Sequence, residues 1–324
     1  MNRKQILLVA LTAVLVAVAG IAVWRLLSPA PGLSTPIEMV DIQPGEFLMG
    51  SPTTEVDRED NERPQHPVKI TYAFKMGKTE VTQKQWREVM GTTIRQQRDK
   101  AQDRSSLGKR LKMLGKDIKD NPFGTFDEIQ DEGMWKTIKA VAAGRNRWPL
   151  YGEGDDYPMY WVNWGEATEF CQKLTELERV AGRLPPGQEY RLPAEAEWEY
   201  ACRAGSITRF ANGNTEAELD KIGWYGGNSG ATHPVGAKIP NAWGLHDLHG
   251  NVWEWCLDWY GDYSAEESFD PFGPATGTDQ IARGGGWDSS FLICRSAERT
   301  RCWPSFRGKY LGFRVVLAPV RPRE

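Results

Sequence analysis

Nitrogen and sulfur metal ligands are scarce in this chain of 324 residues, which contains only four histidines and five cysteines. They are His66, His233, His246 and His249, and Cys171, Cys202, Cys256, Cys294 and Cys302. The chain has no Cys-x-x-Cys pair, and its cysteine spacings do not resemble those of a zinc site. A centre built from three histidines would need nearly all of those available. The sequence therefore disfavours both kinds of metal centre.

The chain also lacks a large excess of charge of either sign. Forty Lys and Arg residues stand against 43 Asp and Glu residues, which gives a net charge of −3. Nucleic-acid-binding domains usually carry a clear positive excess, so no nucleic-acid partner is expected. With 40% apolar and 26% charged residues, the composition is that of a globular protein and excludes a wholly disordered or polytopic membrane chain.

Long apolar runs are absent except at the N-terminus. Residues 6–24 are apolar apart from Thr12 and Gly20, follow Arg3 and Lys4, and end at Arg25. A helix of this length nearly spans a hydrocarbon core of about 30 Å. We therefore predict a single-pass anchor at residues 1–27 in the inner (cytoplasmic) membrane, a linker at 28–36 and a periplasmic C-terminal domain, because a positive flank stays in the cytoplasm. A cleaved signal peptide is the alternative.

Tryptophan, glycine and proline are abundant, with 14, 33 and 20 residues respectively. This combination predicts a loop-rich fold held together by aromatic packing rather than by long helices. Strands are expected at 39–50, on both sides of a Pro44-Gly45 turn, and at 68–74.

Three core helices are expected in the same sequence. The first begins at Thr82, because Thr82 and Gln85 match a capping box and Val81 and Trp86 match a hydrophobic staple, and it ends at Gly91. The other two are predicted at 165–181 and 193–203 from apolar periodicity.

A basic segment interrupts this pattern between the first and second helices. Residues 95–119 contain nine Lys and Arg residues against three Asp, with leucines at helical spacing. We predict a basic helical insertion at about 95–154, with a further helix at 134–143. The pattern leaves open whether it is a solvated insertion or a surface that contacts a partner or a membrane.

Seven blocks of the sequence resemble one known family. They are MVDIQPGEFLMGS (39–51), KTEVTQKQW (78–86), VNWGEATEFCQKL (162–174), YRLPAEAEWEYACRAG (190–205), NAWGLHDLHGNVWEWCLDWY (241–260), RGGGWDSS (283–290) and LGFRVV (311–316). Together they resemble the formylglycine-generating enzyme, or sulfatase-modifying factor, family. The resemblance implies an α+β domain over residues 37–320 with a variant of the C-type-lectin-like fold and little regular secondary structure.

The resemblance also implies where the family's copper chemistry would lie. Its oxidases bind Cu(I) through two thiols five residues apart, because soft monovalent copper prefers thiolates. Counting from Arg283 places Ser289 at the first thiol position and Cys294 at the second, and Gly286 replaces a serine of the motif. Counting back from Leu311-Gly312-Phe313 shifts the register by about three, and Cys294 then corresponds to a structural cysteine of the family. In either register the pair of thiols is incomplete. Copper binding is therefore not expected, and the catalytic candidates are limited to Cys294, Ser289 and Trp253.

Two further features are implied by the resemblance. The family's second calcium site corresponds to Asp247, Gly250, Val252 and Glu254, which offer carboxylates and backbone carbonyls to a hard cation. The alternative is that both carboxylates only accept backbone N–H bonds. A disulfide between Cys202 and Cys294 is also expected, and it would leave Cys171 and Cys256 as buried thiols.

Three functions remain open from the sequence. The first is an extracytoplasmic binding or accessory module for a protein or peptide partner, without oxidase activity. The second is a metal-dependent oxidase with a rebuilt site, and the third is a diversified lectin-like ligand-binding protein. The residues expected on a ligand-binding face are Trp287, Arg295, Trp303, Phe306 and Arg307.

Overall fold

The computed structural model describes residues 33–102 and 147–320, in which short strands alternate with helices and long loops. The strands are β1 (Met39–Ile42), β2 (Gly45–Met49), β3 (His66–Ile70), β4 (Phe74–Gly77), β5 (Gln188–Arg191), β6 (Trp253–Trp259), β7 (Ser268–Phe269), β8 (Gln280–Arg283), β9 (Arg299–Cys302), β10 (Leu311–Gly312) and β11 (Val316–Pro319). The helices are α1 (Gln83–Met90), α2 (Ile94–Gln102), α3 (Trp164–Val180), α4 (Glu195–Arg203) and α5 (Glu216–Ile222). This mixture agrees with the predicted α+β class.

The strands form three sheets, with the orders β1-β4-β11-β5, β10-β6-β8-β9 and β2-β3-β7. The first sheet joins the two ends of the domain, because Val316 near the C-terminus pairs with Met76 of β4 and Arg191 of β5. The second sheet carries the GNVWEW block on β6 next to β8. The candidate functional site extends from this second sheet.

The single strand expected at 68–74 is wrong, because the segment forms parts of β3 and β4, which belong to different sheets. The reason lies at Thr71, whose backbone N–H donates to the Asp270 carboxylate at 2.7 Å and whose hydroxyl also bonds to it. These hydrogen bonds to Asp270 separate the end of β3, which belongs to the sheet β2-β3-β7, from the start of β4, which belongs to the sheet β1-β4-β11-β5.

The predicted start and end of α1 are confirmed. Thr82 Oγ1 accepts from Gln85 N at 3.2 Å, while Gln85 Oε1 accepts from Thr82 N at 3.0 Å. Gly91 follows the helix in the left-handed conformation with φ of 68°. Trp86 of this helix stacks on Phe170 of α3 with ring centroids 5.8 Å apart, which anchors both helices in one core.

The other two predicted helices exist with shifted ends. Helix α3 begins one residue early, where Asn163 Oδ1 caps Glu166 N at 2.9 Å. Helix α4 begins two residues late, because Ala194 is still extended and its N–H donates to the Glu197 side chain at 2.8 Å.

The predicted anchor at 1–27 and the helix at 134–143 lie outside the described residues, as does most of the insertion. Of the insertion, the structure describes residues 95–102, which belong to helix α2, and residues 147–154. In the ranges 33–102 and 147–320, none of the helices has the length and apolar character needed to cross a membrane.

Candidate functional site

Two glycines with positive φ angles connect the end of β8 to the loop that forms the candidate site. Gly284 and Gly285 have φ of 96° and 78°. At Gly285 a side-chain Cβ would lie 2.6 Å from Cys294 Sγ, so only glycine lets the loop pass over this cysteine. The loop then continues to Trp287 and Ser289.

Backbone hydrogen bonds join two of the sequence blocks here and connect them to the residue just before a third block. Gly250 N donates to Gly284 O at 2.8 Å, and Trp287 N donates to Asn251 O at 2.9 Å. Trp253 N donates to the carbonyl of Tyr310 at 2.7 Å. One continuous site is thus formed by segments that are far apart in the sequence. They are the blocks at 241–260 and 283–290 and the residue just before the block at 311–316.

Ser289 acts within this site as a turn residue. Its hydroxyl oxygen accepts from Gly286 N at 3.0 Å, and its own N–H donates to Gly286 O at 2.9 Å. Its carbonyl accepts from Gly226 N at 2.7 Å. A hydroxyl is a poor ligand for Cu(I), so this position does not supply the soft donor that paired copper ligation requires.

Cys294 is fully buried beneath Gly285. Burial raises the pKa of its thiol well above the ordinary value, which disfavours the thiolate that binds metals or attacks substrates. Trp253, the third catalytic candidate, is also buried and lies against Gly286, where a Cβ atom on the glycine would be 3.2 Å from Trp253 Cδ1. Both residues therefore pack the interior of the site.

The predicted disulfide between Cys202 and Cys294 is wrong in the structure, where all five cysteines are buried free thiols. The imidazole of His249 lies between the two residues. Its Nε2 atom accepts from Ala211 N at 3.1 Å and lies 3.5 Å from Cys202 Sγ, while Nδ1 donates to Cys294 O at 2.8 Å. Burial lowers the pKa of His249 to about 4, so the ring is neutral.

The carboxylate of Glu254, one of the expected calcium ligands, is paired with a guanidinium. Arg314 Nε and Nη2 each donate to one of its oxygens at 2.7 Å. Trp198 Nε1 donates to the same carboxylate at 2.8 Å. The alternative in which only backbone N–H groups bond to this carboxylate is therefore incorrect for Glu254.

Asp247, the other expected carboxylate ligand, belongs to the same buried cluster as Glu80. Its Oδ2 accepts from Gly236 N at 2.6 Å. Its Oδ1 and both oxygens of Glu80 are buried without an N–H or hydroxyl donor among the described residues, and only a proton shared between the two carboxyl groups joins them. Burial raises the pKa of Glu80, and the Asp247 and Glu254 charges raise it further. Three carboxyl groups thus surround the guanidinium of Arg314.

Sequence reasoning missed Glu80 and Arg314, although both lie inside blocks that carry the family resemblance, KTEVTQKQW and LGFRVV. The unsatisfied oxygens of Asp247 and Glu80 suit a hard cation such as Ca²⁺. Glu254 is already engaged by Arg314. Across ranges 33–102 and 147–320, no group of three or more His, Cys, Asp or Glu side chains is arranged to hold a metal ion.

The structure contradicts one of the residues predicted for the ligand-binding face. The prediction that Arg295 lies on this face is wrong, because the side chain is fully buried. Its guanidinium forms ion pairs with Glu62, Glu55 and Glu298. Trp287 is only 5% exposed. The ring of Tyr151 covers it, with centroids 4.5 Å apart.

The remaining candidates lie on the segment between β9 and β10. Trp303 is 41% exposed, and Phe306 is half-buried against Tyr310 with centroids 6.4 Å apart. Arg307 forms an ion pair with Glu166 and donates to a backbone carbonyl.

Lys309 joins this segment to the glycine loop. Its Nζ atom lies 4.6 Å from the ring centroid of Trp287 and 3.0 Å from Asp288 Oδ2. We call Tyr151, Trp287, Trp303, Phe306, Lys309 and Tyr310 the aromatic face.

The fold and this site together define a domain of the sulfatase-modifying factor type. A family model described as the sulfatase-modifying factor enzyme 1-like domain matches residues 25–319, and the chain belongs to this family. The family resemblance seen in the sequence blocks is thus confirmed.

Proteins with different names share this domain. The formylglycine-generating enzyme of Bos taurus is 31% identical over 321 residues, which cover 87% of this chain and 75% of that protein. The serine/threonine-protein kinase pkn1 of Chlamydia pneumoniae is 29% identical over 284 residues, covering 86% of this chain and 38% of that protein. The solved structure of Treponema denticola variable protein 1 superimposes with a TM-score of 0.61 and 29% identity, covering 87% of this chain and 95% of that one.

Proposed function

We propose that this protein is a membrane-anchored, extracytoplasmic binding or accessory module for a protein or peptide, without formylglycine-generating oxidase activity. The observation that carries the proposal is Ser289, whose hydroxyl is used to close its own turn at the position of the first copper thiol. The domain also occurs in a relative named as a protein kinase, so it is not confined to proteins named as formylglycine-generating enzymes.

The aromatic face is the proposed contact surface. Trp303 is the exposed ring of this face, whereas Trp287 lies beneath Tyr151. Aromatic rings supply large apolar contact area at low entropic cost, and tryptophan is enriched at energetically dominant positions of interfaces. Lys309 and Arg307 already have acidic partners in the domain, Asp288 and Glu166. We therefore expect affinity to depend on the rings of Trp303 and Phe306 more than on these charges.

Panning of a displayed random-peptide library on the purified full chain tests this proposal. Enriched peptides should bind the wild type saturably and lose about tenfold or more in affinity to Trp303→Ala or Phe306→Ala, since a dominant interface residue contributes at least ~2 kcal/mol. The control is Val180→Ala, which trims a side chain that is 63% exposed on α3. Peptides that bind all variants equally would contradict the proposed surface.

The proposed location rests on the apolar run at residues 6–24 and its positive flank. An alkaline phosphatase fusion at the C-terminus, which is active only outside the cytoplasm, should be active in a bacterial host, and the chain should resist alkaline extraction from membranes. An inactive fusion would contradict the orientation. Release of the intact domain by alkaline extraction would contradict the anchor.

We also propose that Ca²⁺ binds at Asp247 with Glu80 and the backbone at Gly250 and Val252. This is supported by the unsatisfied buried oxygens of Asp247 and Glu80 and by the excess of carboxyl groups over cations around them. A bound cation would compensate that charge. Calcium should raise the melting temperature of chelator-treated protein, and Asp247→Asn should abolish the rise. An unchanged melting temperature in the wild type would contradict calcium binding.

A further inference from the structure

A second concave site lies away from the aromatic face, between the N-terminus of α4, the strand β3 and the loop that follows β6. The cleft encloses about 440 Å³, which falls in the range typical of small-molecule sites. It shares no lining residue with the aromatic face. Its chemistry is therefore independent of the proposed function.

Asp258 lies on the floor of this cleft and is only 4% exposed. One carboxyl oxygen accepts from Glu195 N at 2.8 Å. Burial, with the charge of Glu195, raises the pKa of Asp258 to about 8. No ion pair to Asp258 is present in the described parts of the chain, so this carboxyl group has no direct counter-charge there.

The positive charge that lines the cleft is already neutralised. Arg299 Nε and Nη2 donate to the two oxygens of Glu195 at 2.8 and 2.7 Å. Its Nη1 donates to the carbonyls of Asn61 and Gly261 at 3.0 and 2.9 Å. Arg299 therefore has little capacity left to attract an anionic ligand.

The other residues that line the cleft place negative charge at its mouth and apolar surface along its walls. Asp262 and Glu266 are exposed at the rim, while Trp259 and Phe272 form apolar walls. Ser268 also lines the cleft, and its hydroxyl is buried without a hydrogen-bond partner in the part of the chain that the structure describes. Buried polar groups are normally hydrogen-bonded, so a water molecule or a ligand in the cleft would satisfy this hydroxyl.

We propose that this cleft binds a small organic ammonium ion, with the ammonium group at Asp258 and the hydrocarbon part against Trp259 and Phe272. Asp258, Asp262 and Glu266 favour a cation, because none of them forms an ion pair within the described ranges. Apolar walls favour an organic cation over a metal ion. Ammonium groups also bind favourably to aromatic faces.

Calorimetric titration of the purified full chain with benzylamine, putrescine and spermidine at about pH 8.5 tests the proposal, because Asp258 is ionised above its pKa of about 8. At least one of these amines should bind saturably at that pH, whereas benzyl alcohol and benzoate, which match benzylamine in shape, should bind far more weakly. The proposal is overturned if none of the amines binds, or if benzyl alcohol or benzoate binds as well as benzylamine.

At about pH 8.5, where Asp258 is ionised, Asp258→Asn should weaken amine binding about tenfold or more, because it replaces a charge-assisted hydrogen bond with a neutral one. The asparagine oxygen can still accept from Glu195 N, so the fold should be retained. Glu266→Gln at the exposed rim is a second variant and should weaken binding about two- to threefold at low salt. Glu169→Gln on the exposed face of α3 is the matched control. Unchanged affinity in both Asp258→Asn and Glu266→Gln would overturn the assignment of the site.

Discussion

Arg314 and Glu254 form a bidentate ion pair in the interior of the domain, with two N–H···O distances of 2.7 Å. The same guanidinium donates to Gly77 O at 3.0 Å and His246 O at 2.8 Å. One buried cation thus connects the end of β4, the loop before β6, the strand β6 and the segment between β10 and β11. It also lies beside Asp247 and Glu80, whose charges help to hold its pKa above the ordinary value against the opposing effect of burial.

Replacing Arg314 by methionine should lower the free energy of unfolding by about 3–5 kcal/mol, because it leaves the buried carboxyl groups uncompensated. Urea denaturation of wild type and variant measures the change. The control is Arg183→Met, whose guanidinium pairs with Glu178 at 2.7 Å at the surface and should change stability by less than about 1 kcal/mol. Equal effects of the two substitutions would contradict the structural role of Arg314.

Features set by neighbouring residues can be predicted from the sequence, whereas those set by distant partners cannot. The start of α1 depends on Thr82 and Gln85, which lie three positions apart and have a recognisable pattern. The pairing of Glu254 with Arg314 joins residues 60 positions apart and has no such pattern. For this reason the sequence predicts that Glu254 binds a metal cation and does not reveal that its carboxylate pairs with the guanidinium of Arg314.

Arg295 shows the same limit at the candidate binding face. An arginine near aromatic residues is expected at the surface, but three glutamates from distant and nearby positions surround it. Nothing in the local sequence of Arg295 specifies Glu55 or Glu62 as partners. Burial of a charged side chain therefore depends on contacts that a local pattern does not encode.

Gly285→Ala should destabilise the domain by about 3 kcal/mol, since the new Cβ would meet Cys294 Sγ at 2.6 Å and the positive φ adds backbone strain. Gly182→Ala is the matched control. Gly182 has a similar positive φ of 70° but open space around the added atom, so it should cost only about 1 kcal/mol. Chemical denaturation compares the two variants, and equal losses would show that the close contact with Cys294 is unimportant.

All five cysteines should be alkylated when the protein is denatured without a reductant, because none forms a disulfide in the structure. In the native state they should react slowly, since burial raises the pKa of the Cys202 and Cys302 thiols to about 12. Mass spectrometry after alkylation counts the modified residues. A product with three alkylated cysteines would support the bridge between Cys202 and Cys294 and contradict the structure.

The stability of the protein should depend on pH through Asp258. Its folded pKa is raised to about 8 from an unfolded value near 3.8, so in this interval the folded state holds a proton that the unfolded state has released. The free energy of unfolding therefore falls as pH rises from about 4 to 8, and this contribution then levels off. Asp258→Asn should show a smaller decline between about pH 5 and 8 than wild type in urea denaturation. Equal declines would indicate that Asp258 is not held in its protonated form.

The most direct test of the central claim is mass spectrometry of a sulfatase-type cysteine peptide after incubation with the purified full chain, copper, a thiol reductant and dioxygen. Formylglycine carries an aldehyde oxygen in place of the cysteine sulfur, so oxidation would make the peptide lighter. A formylglycine-generating enzyme run in parallel shows that the conditions support turnover. Because the count from the Arg283 motif places Ser289 at a copper thiol position, we predict that the peptide mass stays unchanged with this protein. Copper-dependent conversion to the lighter product would contradict the account.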